Sequence, residues 1–143
     1  MEYESSATID ATPEEIWAIL TNAAELSQWD SGVERVEGTI AAGNKIKVFS
    51  EANSGRGFAV TVTEFEPGSR MVWRGGMPLG LFTGVRTYTL TPGSGGTEFH
   101  MREEYSGPML GMISRSMPDL QPSFDQFAAG LKAKAEGSAT GGE

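Results

Sequence analysis

Residues 2 to 9 alternate, with Tyr3, Ser5, Ala7 and Ile9 set against Glu2, Glu4, Ser6 and Thr8, the period of a strand with one wet face. At Asp10-Ala11-Thr12-Pro13-Glu14-Glu15-Ile16-Trp17 the pattern changes. Thr12 is placed to cap a helix, Pro13 suits its first turn, and Glu15 stands where a capping box needs it. Ile16, Ile19 and Leu20 then recur at helical spacing and give that helix one buried face. A second short helix is predicted over Ala23 to Trp29. Strand-like segments follow at Val33–Gly38, Lys45–Ser50, Phe58–Glu66, Arg70–Gly75, Phe82–Thr91 and Thr97–Tyr105. Clusters of Gly, Pro, Asn and Ser divide them and suit hairpin turns. The helical period returns at Leu120, Phe124, Phe127 and Leu131, which predicts a long helix from Leu120 to Lys134. Pro118 and Pro122 fit only near a first turn or at a kink, so Met109–Ser116 reads either as a separate turn or as a bent extension of that helix.

One strand, two helices, a run of strands and a last long helix describe an α+β domain. Its curved antiparallel sheet, of about seven strands in meander order, has one apolar face to cover, and the C-terminal helix carries the one apolar stripe that fits it. No internal repeat or linker interrupts the order, and 143 residues suit one domain, read as 1–136. The small polar residues 137–143 are expected to form a disordered tail.

Composition narrows the chemistry. Nineteen acidic residues against eleven basic give a charge of −8, and no basic run is present to follow a phosphate backbone, so nucleic acid is not an expected partner. The absence of cysteine removes disulfides, thiolate nucleophiles and sulfur-ligated metals, and a single histidine argues against a histidine-built zinc site. With no basic leader and no apolar run of about 18 residues, stable membrane insertion is not expected and a cytoplasmic location is. The glycines of Gly55-Arg56-Gly57 and Gly93-Ser94-Gly95-Gly96 lie between strands rather than before a helix, so they form no nucleotide fingerprint and no cofactor is expected.

Several segments together resemble a known family. Ile9-Asp10-Ala11-Thr12-Pro13-Glu14-Glu15-Ile16-Trp17, Leu20 and Leu26-Ser27-Gln28-Trp29 look like the opening of the polyketide cyclase/dehydrase group within the START-related (Bet v 1-like, SRPBCC) superfamily. Phe65-Glu66-Pro67-Gly68-Ser69-Arg70-Met71-Val72-Trp73, Thr87-Tyr88-Thr89-Leu90-Thr91-Pro92, Gly96-Thr97-Glu98-Phe99 and Tyr105-Ser106-Gly107-Pro108 resemble its later strands and turns. The likeness covers about residues 3–135 and implies a helix-grip fold around a pocket for a small apolar or aromatic ligand. The superfamily holds carriers of lipids and hormones, aromatic polyketide cyclases and co-chaperone domains, with no shared catalytic set, so function has to be argued from the site.

Strand parity places Val60, Val62, Met71, Trp73, Tyr88, Leu90, Phe99 and Met101 on one face, towards Phe124, Phe127 and Leu131. From residue types alone these either line a cavity or fill a solid core; the resemblance favours a cavity. Arg86 shares the face of Tyr88, and Glu103 that of Met101 and Tyr105. The two charges therefore either meet inside, hydrogen-bonded and facing a ligand, or sit at the solvent rim. The expected ligand-binding set is Trp29, Val60, Val62, Met71, Trp73, Arg86, Tyr88, Phe99, Met101, Glu103 and Phe124, with no metal site. Trp17, Trp29 and Trp73 are packing residues first, Trp29 standing near the expected mouth. His100 falls on the opposite face with Glu98, Arg102 and Glu104. The loop from Gly75 to Phe82 is unusually apolar, and Met109, Leu110, Met112, Ile113 and Met117 make a soft patch.

A carrier of a lipid-like or aromatic ligand is the leading expectation. A cyclase or dehydratase moving a proton through Glu103, Arg86 and Tyr88 or Tyr105 is the second. A protein-interaction module that needs no cavity is the third, which leaves a protein partner open.

Overall fold

In the computed structural model, residues 1–51 and 57–139 are described, with side chains to 137. Strand β1 (Glu2–Ile9) leads into helix α1 (Pro13–Leu20) and a 3₁₀ segment, Ala23–Gln28. Strands β2 (Val33–Glu37), β3 (Lys45–Ser50), β4 (Gly57–Glu66), β5 (Arg70–Met77), β6 (Phe82–Gly93) and β7 (Gly96–Ser106) follow, then α2 (Leu110–Ser114) and α3 (Gln121–Ala139). The two short helices differ: α1 carries its full capping box, with Glu15 N–H donating to Thr12 Oγ1 at 3.1 Å and Thr12 N–H to Glu15 Oε1 at 2.9 Å. The second is a 3₁₀ helix with no side-chain cap bond.

The seven strands form one antiparallel sheet in the order β1-β7-β6-β5-β4-β3-β2. Consecutive strands pair from β2 to β7, and β1 closes onto β7 with Tyr3 opposite Glu103 and Ala7 opposite Phe99. Helix α3 covers the concave face beside β1 and also serves that edge strand. Gln121 Nε2 donates to the Glu4 carbonyl at 2.9 Å and Lys132 Nζ to the Thr8 carbonyl at 2.7 Å, so an exposed sheet edge gains partners. Phe124, Phe127, Leu131 and Ala135 of α3 join Ile9, Ile16, Leu20, Val62, Met71, Tyr88, Leu90, Phe99 and Met101 in one buried core. This is the helix-grip architecture.

Met109–Ser116 resolves as the separate helix α2, and Pro122 lies in the first turn of α3. That helix runs on past Gly137 to Ala139, and the rest of the expected tail, 140–143, lies outside the described residues. A bulge between Val62 and Glu64 shifts the register of β4, so that Phe65 pairs with Met71 on the inner side and its ring meets Trp17 at 5.2 Å.

Candidate functional site

The concave face is aromatic at its centre. Tyr88 packs edge-on against Trp73 at 5.1 Å between centroids, and the ring of Phe127 stands 5.8 Å from Tyr88, 6.1 Å from Phe99 and 5.2 Å from Trp29. These are contact separations, so Phe127 fills the ground between Trp29, Tyr88 and Phe99, where the resemblance favoured a cavity. Val62, Met71, Trp73, Tyr88, Phe99, Met101 and Phe124 are buried there, while Trp29, Val60, Arg86 and Glu103 are partly buried around them. Trp73 Nε1 donates to Met71 Sδ at 3.3 Å. Trp29 Nε1 is buried and has no partner among the described residues.

Towards one end the aromatic centre gives way to a polar group. Arg86 and Glu103 are direct cross-strand partners, and Glu103 Oε1 accepts from both Nε and Nη2 of Arg86 at 2.7 Å. Arg86 Nη1 donates to the Tyr88 phenol oxygen at 3.3 Å, and the guanidinium carbon lies 4.8 Å from the centre of the Phe124 ring. The Arg86 and Glu103 side chains retain 25% and 14% of their exposure, so the pair stands between the interior and the rim. Beside it, Gly84 carries no side chain where a Cβ would come within 2.8 Å of Glu103 Oε2. Tyr105 borders the same spot, stacked on Phe82 at 5.6 Å and edge-on to Tyr3 at 6.2 Å. His100 stands on the outer face, 2.9 Å from Glu4 Oε1.

The family model described as polyketide cyclase / dehydrase and lipid transport matches residues 1–136. The chain belongs to this family. Solved structures of the same fold include a hypothetical protein of Helicobacter pylori, 13% identical, with 94% of this chain and 88% of that one covered at a TM-score of 0.76. A Rhodobacter sphaeroides protein is 23% identical over 92% of this chain and 89% of its own, at a TM-score of 0.69. The di-domain ARO/CYC StfQ of the steffimycin biosynthetic pathway is 15% identical, with 97% of this chain and 52% of StfQ covered, at a TM-score of 0.73. At these identities the likeness shows the fold alone. Among curated proteins none matches.

Electrostatics at the site keep the phenols of this family member protonated. Burial pushes Tyr88 above the ordinary phenol value against the opposing pull of Arg86. Burial, with Glu103 alongside, likewise pushes Tyr105 up. Burial pulls the Arg86 guanidinium down, but Glu103 and Tyr88 outweigh it and hold the charge firmly. Because Arg86 donates to the Tyr88 oxygen, the phenol keeps its own proton to give, and no acceptor for it is found among the described residues. Tyr3, Phe82, Gly84 and Phe127 were absent from the residues expected to bind ligand. Their positions on the inner face follow from the same alternation that placed Arg86 and Tyr88, and in Phe127 from the α3 stripe. No helix among the described residues is long and apolar enough to cross a membrane.

Proposed function

We propose that the protein binds a small, largely apolar ligand, lipid-like or aromatic, against the concave face, with one neutral polar group turned towards Arg86, Glu103 and Tyr88. The carrying observation is the hydrogen-bonded Arg86–Glu103 pair at the border of an aromatic interior. Two opposite charges held at 2.7 Å cancel at a distance but leave directed donors and acceptors. Such a pair suits a hydroxyl or carbonyl better than a carboxylate, which Glu103 would repel. The unshared Tyr88 proton and the orphaned Trp29 indole N–H add donors for an acceptor-bearing ligand, since a buried unpaired donor costs about 1–3 kcal/mol. With Phe127 in the centre, the ligand enters beside Gly84, Phe82 and Tyr105 or displaces that ring.

Mass spectrometry of the purified protein under native conditions tests occupancy. Titration with 2-naphthol and naphthalene tests polar recognition: 2-naphthol should bind more tightly, and Arg86→Met should abolish the difference while retaining naphthalene. Saturable binding of neither compound, with no copurifying ligand, defeats the proposal.

A second reading is favoured by the family description and by the proton-bearing groups around Glu103: cyclisation or dehydration of a polyketide-like substrate in the same place. Glu103 would accept a proton as an enol forms, and Tyr88 would donate to the developing oxygen. Conversion of a poly-β-keto thioester analogue into an aromatic chromophore, lost in Glu103→Gln, distinguishes catalysis from carriage.

A further inference from the structure

We propose that the outer face of the sheet carries a second site, for a phosphate-type oxyanion, built on Lys45, Thr61 and Arg74. Thr61 pairs with Lys45 on one side and with Arg74 on the other. The two cations thus flank one hydroxyl from adjacent strands, roughly 10 Å apart at the backbone. Each alternates with a buried inward residue, Ile46, Val62 and Trp73 in turn, which sets all three side chains on the face away from α3. There they line an open depression of about 460 Å³ together with Thr63, Gly76 and Thr83. Gly76, at one end of it, has a φ of 133° and lies so close to β6 that an added Cβ would stand 2.1 Å from the Phe82 carbonyl oxygen, so the position admits only glycine.

Among the described residues, some of the chain's cations are held by carboxylates, and the two at this depression, like Lys47, Arg115 and Lys134, are not. Arg35 is paired with Glu37, Arg70 with Glu64, and Arg102 with Glu2 and Glu104. Lys45 and Arg74 have no carboxylate partner among the described residues. Glu64, on the same strand as Thr61, is already held by Arg70 at 3.1 Å, and Glu37, on the strand next to β3, by Arg35 at 3.2 Å. Glu104 lies across β6 from Arg74, opposite Val85, and Glu2 one strand beyond it. That is roughly 10 Å or more away, about one Debye length at physiological salt, so their repulsion of an anion at Thr61 is largely screened. A guanidinium fork, an ammonium and a hydroxyl bordering one depression suit an oxyanion with several acceptor oxygens.

The test is ¹H–¹⁵N correlation spectroscopy of the whole protein during titration with inorganic phosphate at physiological ionic strength, against chloride at matched ionic strength. Saturable shifts are expected at the amides of Thr61, Arg74, Gly75 and Gly76. Lys45→Gln or Arg74→Gln should each weaken binding about tenfold, and the double variant should lose it. The side chains are exposed, and an unchanged spectrum elsewhere verifies folding. Arg86→Met should leave the titration as it was, so this site and the concave-face reading fail independently. Glycerol 3-phosphate and vesicles of phosphatidylcholine containing phosphatidic acid then establish whether the group is taken from solution or from a lipid headgroup. The proposal is overturned if phosphate gives no saturable shift, if chloride reproduces it, if the double variant retains it, or if the shifts centre on Arg86 and Tyr88.

Discussion

Arg86 and Glu103 show how far single residues can be read. Alternation along β6 and β7 put both on the inner face, and antiparallel pairing made them partners; both follow from a period of two. Their depth does not, because it depends on where α3 brings Phe124, a contact made from the far end of the chain. With less than a third of each side chain exposed and two bonds at 2.7 Å, Arg86→Met is expected to cost about 2 kcal/mol in chemical denaturation. Arg86→Met combined with Glu103→Gln should cost less than the sum of the single changes. A double-mutant cycle with coupling near zero would contradict a directed pair. The two phenols give a pH dependence. Tyr88 and Tyr105 both titrate above the ordinary value of 10.0 when folded, so the unfolded chain ionises first. Their contribution to stability is full below pH 10 and declines as pH rises beyond it. Urea midpoints should stay level up to that pH and fall above it, with a shallower fall in Tyr105→Phe; an unaltered slope in that variant would show that Tyr105 is not the cause.

Among the elements, the start of α1 was legible to the residue because its signal is local: Thr12 and Glu15 bind each other's backbone within one turn. Thr12→Ala should cost about 1 kcal/mol, read from the thermal midpoint. The bulge in β4 was not legible. No glycine or proline marks Thr63, and strict alternation would have sent Phe65 outward instead of against Trp17. Helix α3 was legible as a stripe, but its seating was not. At Gly130 it approaches the chain so closely that a Cβ would stand 1.9 Å from the Asp30 carbonyl oxygen, with Gln126 Nε2 donating to Asp30 Oδ1 at 2.6 Å one turn away. Glycine is a poor helix residue by propensity, so Gly130→Ala would stabilise a free helix by about 1 kcal/mol. Here backbone blocks the methyl group, and a loss of about 1–3 kcal/mol is expected instead. A gain in melting temperature would disprove the contact.

At the scale of the molecule, the division of the sheet into two faces decides what substitutions reach. His100 belongs to the outer face with Glu4, so His100→Ala should leave naphthol binding unchanged, and a marked loss without unfolding would place the ring elsewhere. The order of elements and the grip of the last helix were readable from periodicity and from the resemblance. The pairing of β1 was not, because its partner is chosen by an edge left open at the other end of the chain.

That closure has a cost in time. Tyr3 faces Glu103, a hundred residues later in synthesis. At typical elongation rates the first strand waits roughly 5–20 s for the strand that completes it. Through that interval a nascent chain carries an alternating, half-apolar segment with both backbone edges unmatched. Glu2 and Glu4, on the side that later faces water, put charge on the waiting segment and discourage it from pairing with a neighbouring chain on the same message.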